Sequence, residues 1–84
     1  MDEPTATVRQ ALVALLPRLR RFARALAGDR DLADDLLQGA LERALAKAHQ
    51  WQPGRPLEAW MFGIVRNAWV DEVRAGVRRR ELFD

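Results

Sequence analysis

Cysteine is absent from these 84 residues, and histidine occurs once, at His49. Without a thiol there is no disulfide, no thiolate nucleophile and no cysteine zinc site, and a single imidazole cannot build a histidine metal cluster. No metal or other cofactor is expected. No apolar run approaches the roughly twenty residues of a membrane span, and the start Met1-Asp2-Glu3-Pro4 lacks the basic and apolar segments of a signal peptide. A cytoplasmic chain with no membrane partner is the expectation. The groups that catalysis recruits are missing too. No activated nucleophile, glycine-rich phosphate loop or paired-acid spacing appears, and His49, near a predicted helix C-terminus, reads as a favourable end charge rather than a general base. Neither an enzyme nor a small-molecule substrate is expected.

What is present is enough for one domain that folds in water. Apolar residues make up 49% and charged residues 31%, too much hydrophobic material for a disordered chain and too much charge for a membrane one. At this length a core buries only about 60% of the unfolded chain's surface, so stability is modest. The net charge of +2 hides an uneven distribution. Residues 29–50 hold five acids against three bases, whereas residues 66–80 hold five arginines against two acids. Two surfaces of opposite sign imply two kinds of partner. Thirteen of the fourteen basic residues are arginine, whose planar fork suits phosphate contact and stacking. A GC-rich coding bias gives the same excess, so composition alone does not decide its meaning.

Hydrophobic spacing predicts an all-α fold, a compact bundle of three to four helices, over about 5–27, 31–50 and 57–79. In the first, Val8, Leu12, Leu15, Leu19, Phe22 and Leu26 recur at alternating steps of four and three, which is one helix face. Pro17 lies inside that stripe and predicts a kink or restart, with Gly28 as the stop. Asp31 is the expected cap of the second helix, with Asp34 and Asp35 favouring its N-terminal dipole. Leu37, Leu41, Ala44 and Ala48, flanked by Leu36, Ala40 and Leu45, form its inner stripe. The segment Trp51-Gln52-Pro53-Gly54-Arg55-Pro56 ends all periodicity and predicts a constrained loop. The third helix has Met61, Phe62, Ile64, Val65, Ala68, Trp69 and Val73 on its apolar side. Trp60, Gly63, Asn67, Asp71, Arg74 and Arg78 step along the opposite face.

That opposite face is the first candidate site. Amide, carboxylate and guanidinium groups on one helix, with Arg66 beside them and the run Arg78-Arg79-Arg80 at its end, suit contact with phosphates and base edges. The competing reading is a solvated face carrying an Asp71 to Arg74 pair worth about 0.2–0.5 kcal/mol. Trp69 reads as core, Trp51 as a lid over the end of the second helix, and Trp60 as the tryptophan placed to stack on an unpaired base. Gly54 and Arg55 belong to a turn that can shape a pocket for an extruded base, or is simply a turn. Asp34, Asp35, Gln38 and Glu42 form the second candidate, a surface for a basic protein partner, with capping and solvation as the plainer reading.

The order of motifs adds a resemblance. Leu16-Pro17-Arg18-Leu19-Arg20-Arg21-Phe22-Ala23, Asp34-Asp35-Leu36-Leu37-Gln38, Arg43-Ala44, the run from Leu57 through Trp60 and Gly63 to Asn67, and Asp71-Glu72-Val73-Arg74 together resemble conserved region 2 of extracytoplasmic-function (ECF) sigma factors of the sigma-70 family. The resemblance covers about residues 8–80 and implies a non-enzymatic domain in transcription initiation. It implies docking of Asp34, Asp35, Leu36, Gln38 and Glu42 on the beta-prime clamp helices of core RNA polymerase. Residues 52–58, with Gly54 and Arg55, would match the loop that captures bases of the promoter minus-ten element on the non-template single strand. Trp60, Arg66, Asn67, Asp71, Arg74 and Arg78 would complete the DNA face. An anti-sigma factor is a further implied partner. The family's second DNA-binding domain, region 4, has no counterpart here, and residues 81–84 look like the start of the interdomain linker. Gly39 stands where the family usually has an acid, and Gly63 where it often has arginine. The competing reading is a sigma-like interaction module that binds an anti-sigma protein without touching promoters.

Overall fold

A glycine that can take a left-handed backbone stands between the first two apolar stripes, and the chain turns there. The computed structural model describes the backbone of residues 3–52 and 54–83 and the side chains of residues 8–52 and 54–82. Met1, Pro53 and Asp84, each part of a motif read above, lie outside the described residues. Helix α1 spans Glu3–Ala27. Gly28, at φ +74°, ends it and donates its N–H to the Arg24 carbonyl at 2.9 Å, the closing bond of a left-handed helix cap.

Helix α2 follows at Arg30–Ala46. Its cap is Asp29 and not Asp31: the Asp29 carboxylate accepts the Leu32 N–H at 2.9 Å from an extended backbone (φ −117°, ψ 140°). Because Gly28 completes the stop of α1, Asp29 is the first residue free to leave the helical region, and Asp31 falls inside the first turn of α2. Asp29→Ala should therefore cost about 1 kcal/mol, as side-chain caps do. Asp31→Ala loses only a dipole contribution of about 0.3–1 kcal/mol. Urea melts of the two variants measure the difference, and equal losses would return the cap to Asp31.

Pro17 does not restart α1, which runs unbroken across it. Pro17 and Val13, whose carbonyl loses its helical partner to the proline, are both exposed, so water can serve the orphaned oxygen while Leu12 and Leu19 hold the opposite face in the core. Helix α2 stops four residues before its predicted end at residue 50: Lys47 is its C-cap and Ala48–Gln50 tighten into a 3₁₀ turn, with Ala48 still buried. Helix α3, Leu57–Phe83, continues past the predicted end at residue 79, so residues 81–83 are helical.

The core takes one face from each helix. Val8, Leu12, Leu19 and Ala23 come from α1, Ala33, Leu36, Leu37, Ala40 and Ala44 from α2, and Met61, Val65 and Ala68 from α3. Three of the five α2 residues are alanine, and small side chains bring the helix axes close. Phe22 and Phe62 meet edge to face at 4.7 Å between α1 and α3, a favoured aromatic geometry. Val73, expected on the apolar side, is 45% exposed, and among the described residues of α3 none beyond Ala68 is buried. Among the described residues there is no strand and no buried polar or charged side chain. The charged chemistry of this domain therefore lies at its surface.

Candidate nucleic-acid and protein interfaces

Two exposed ion pairs fasten α3 to its neighbours. Arg18 Nη1 donates to both carboxylate oxygens of Glu58, at 3.0 and 2.9 Å, joining α1 to the first turn of α3. Arg43 Nη1 donates to Asp71 Oδ2 at 3.0 Å, joining α2 to α3. Asp71 is thus paired across helices and not with Arg74, the partner that spacing predicted. A pair 28 residues apart leaves no trace in local sequence, which is why Arg43 was missed as a neighbour of this face.

The loop before α3 is held by three observed bonds. The Arg55 N–H reaches the Gln52 carbonyl at 3.1 Å, the Trp51 indole N–H reaches the Arg55 carbonyl at 3.2 Å, and the Trp60 N–H reaches the Pro56 carbonyl at 3.3 Å. Gly54 sits at φ +92°, a conformation that L side chains rarely adopt. These constraints frame a cleft of about 570 Å³ between Gln50, Trp51, Gln52, Arg55, Pro56, Ala59 and Trp60, within the about 300–1,000 Å³ range of small-ligand pockets. Trp51 is half-buried against the core, as a lid over the end of α2 would be, and its indole also closes the loop. Trp60 is half-buried too and borders the cleft. Gly54 shapes the turn and does not line the cleft. Trp69 packs on the core but is only partly covered.

From Trp60 the exposed stripe continues along α3 through Gly63, Asn67, Asp71, Arg74 and Arg78, with Arg66 exposed beside it. The cleft and the stripe therefore share one helix.

The predicted protein-docking residues border two adjoining depressions along α2. Asp34, Gln38 and Glu42 border a groove between α1 and α2 that is floored by Leu16, Leu37 and Leu41 and faced by Arg20, Arg24 and Arg30. Asp35, one turn from Gln38 on α2, lines the adjoining depression with Leu32, Leu36, Trp69 and Glu72. Leu36 is 5% exposed and packs in the core while also lining the depression beside Asp35. The α1 arginines, Arg20 and Arg24, were not among the sequence candidates, although successive steps of four from Leu16 place them on that side of α1. Among the described residues no cluster of three or more His, Asp or Glu side chains could hold a metal ion. No described helix is long and apolar enough to cross a membrane.

Comparison with known proteins gives this arrangement a family. The pattern of the sigma2 domain of PhyR matches residues 12–66. The chain belongs to the sigma2 domain family. This sigma2 domain is 46% identical over 80 residues, 95% of its length, to the ECF RNA polymerase sigma factor EcfG of Rhodopseudomonas palustris (strain TIE-1), and covers 43% of that protein. It is 37% identical over 64 residues, 76% of its length, to the ECF RNA polymerase sigma factor SigM of Bacillus subtilis (strain 168), covering 39% of it. A solved structure of the sigma factor RpoE in complex with the anti-sigma factor NepR, from Bartonella quintana, superposes with a TM-score of 0.80 at 39% identity, over 84% of this chain and 44% of that one. The sigma2 domain thus spans less than half the length of the proteins it matches, and it carries the all-helical region 2 fold of ECF sigma factors.

Proposed function

We infer that this domain binds core RNA polymerase and recognises and melts the promoter minus-ten element during transcription initiation, acting in the cytoplasm and without catalysis of its own. The single observation that carries this reading is the continuity of the Trp60 cleft with the exposed Asn67-to-Arg78 face on α3. A rigid cleft with aromatic walls suits an extruded base, and a helix bearing amide and guanidinium groups suits the strand that follows it. The likeness to EcfG extends over this same helix, since it covers 95% of the chain. Gly54 and Arg55 set the loop, Trp60 offers the stacking surface, Asn67 reads a base edge, and Arg66, Arg74 and Arg78 hold phosphates. The partner strand is the unpaired non-template strand.

Asp34, Asp35, Gln38 and Glu42 supply the polymerase-docking surface, whose target is the pair of beta-prime clamp helices. Asp35→Ala with Gln38→Ala should weaken binding to a clamp-helix fragment by about tenfold or more, as loss of two polar interface contacts does. Both side chains are exposed, so the fold survives the change. Calorimetric titration with circular dichroism as a folding check makes the measurement. Full affinity in the folded double variant would leave this face a solvated one.

A second reading has a specific observation in its favour: the solved relative is a complex with an anti-sigma factor. An anti-sigma protein is a partner under both readings. The two part on DNA, which an interaction module without promoter function does not bind.

A further inference from the structure

The α3 face carries one acid among groups that suit a phosphate backbone. Asp71 stands between Asn67 and Arg74, one helical turn from each, and a carboxylate there repels the strand that the arginines attract. Glu72, the next acid, points elsewhere, into the groove with Leu32 and Asp35. Asp71 is engaged by a side chain from another helix: Arg43 Nη1 donates to its Oδ2 at 3.0 Å. The two side chains are 43% and 57% exposed, and neither contributes to the core. An ion pair this exposed adds little to folding stability. Its effect on the charge of the face is larger, because it brings a base from α2 against the only acid of the stripe.

We propose that Arg43 is a positioning residue of the nucleic-acid face: by holding Asp71 it cancels the negative charge within the stripe and leaves Asn67, Arg74 and Arg78 as the groups a phosphate backbone meets. This rests on the nucleic-acid reading above. Removing Arg43 makes the face more negative by one unit charge, that of the uncancelled Asp71, whereas removing the charge of Asp71 makes it more positive by one and frees Arg43 for phosphate. At about 7 Å in a water-like dielectric one unit charge changes affinity by about threefold at low salt.

The test uses the full chain, a labelled oligothymidylate as probe, and fluorescence anisotropy over a range of salt. Arg43→Ala should weaken binding about threefold at low salt and reduce the slope of log K against log salt by about one. Asp71→Asn should tighten binding about two- to threefold, and the double variant Arg43→Ala with Asp71→Asn should recover most of the loss, as the same charge arithmetic requires. Arg43→Lys, which keeps a charged donor, should stay close to the parent chain. A merely structural role would lower the melting temperature and would not be rescued by Asp71→Asn. Unchanged affinity in Arg43→Ala, or a double variant as weak as Arg43→Ala alone, overturns the proposal while leaving the nucleic-acid reading intact. Failure of the parent chain to bind the probe overturns that reading, and the proposal with it.

Discussion

Leu19→Ala should lower the unfolding free energy by about 2–5 kcal/mol, the cost of deleting a buried leucine and leaving a cavity. Leu19 is fully buried, in the half of α1 that follows Pro17. A domain of this size has about 4–13 kcal/mol to lose, at about 0.05–0.15 kcal/mol per residue, so the substitution removes a large share of the total. Leu15, one turn earlier and only partly buried, should cost less when changed to alanine, because less of its surface leaves water on folding. Urea denaturation followed by far-ultraviolet circular dichroism measures both, with an unchanged m-value marking a loss of stability rather than of compactness. The parent spectrum should be strongly helical and insensitive to chelator. A Leu19→Ala loss below that of Leu15→Ala would mean that α1 presents a different face to the core.

The sequence made the helices legible because burial and periodicity agree wherever an element has partners on one side. Val8, Leu12 and Leu19 on α1, and Met61, Val65 and Ala68 on α3, are buried as their spacing requires. The departures each have a local cause. The α2 cap moved from Asp31 to Asp29 because Gly28 ends α1 in a left-handed conformation and leaves Asp29 extended. Pro17 was tolerated because it and Val13 lie on the exposed side of α1, where water can serve the orphaned carbonyl. Val73 followed the apolar period into the stretch of α3 beyond Ala68, its last buried residue among those described. The same distinction separates the parts of the candidate site. The stripe from Trp60 to Arg78 is a property of one helix and could be read from spacing. The pairing of Asp71 with Arg43 and the tie between Arg18 and Glu58 are products of packing, and periodicity within one helix does not encode them.

Within Asp34-Asp35-Leu36-Leu37-Gln38, the polar members are exposed while both leucines are buried, and the leucines still line the two depressions along α2. The motif thus joins surface chemistry and helix packing in one stretch.

The central claim is that this domain reads unpaired promoter DNA. Its most direct measurement is a chemical-shift titration at low salt, with a promoter-like non-template strand and with the same sequence as duplex. The single strand should bind at least tenfold more tightly, because duplex must first lose stacking and pairing worth a few kcal/mol before a base can enter the cleft. Affinity should fall near the non-specific range of about 10⁻⁴ to 10⁻⁶ M, since few phosphates are engaged. Trp60→Ala should cost about 1–3 kcal/mol as a lost stacking platform. Arg74→Ala and Arg78→Ala should weaken all sequences and lower the salt slope by about one each, whereas Asn67→Ala should chiefly reduce discrimination between sequences. Shifts confined to residues 50–78 together with preference for the single strand are the predicted result. Equal binding of duplex and single strand, with shifts that avoid that segment, would contradict the account and leave the anti-sigma interaction module in its place.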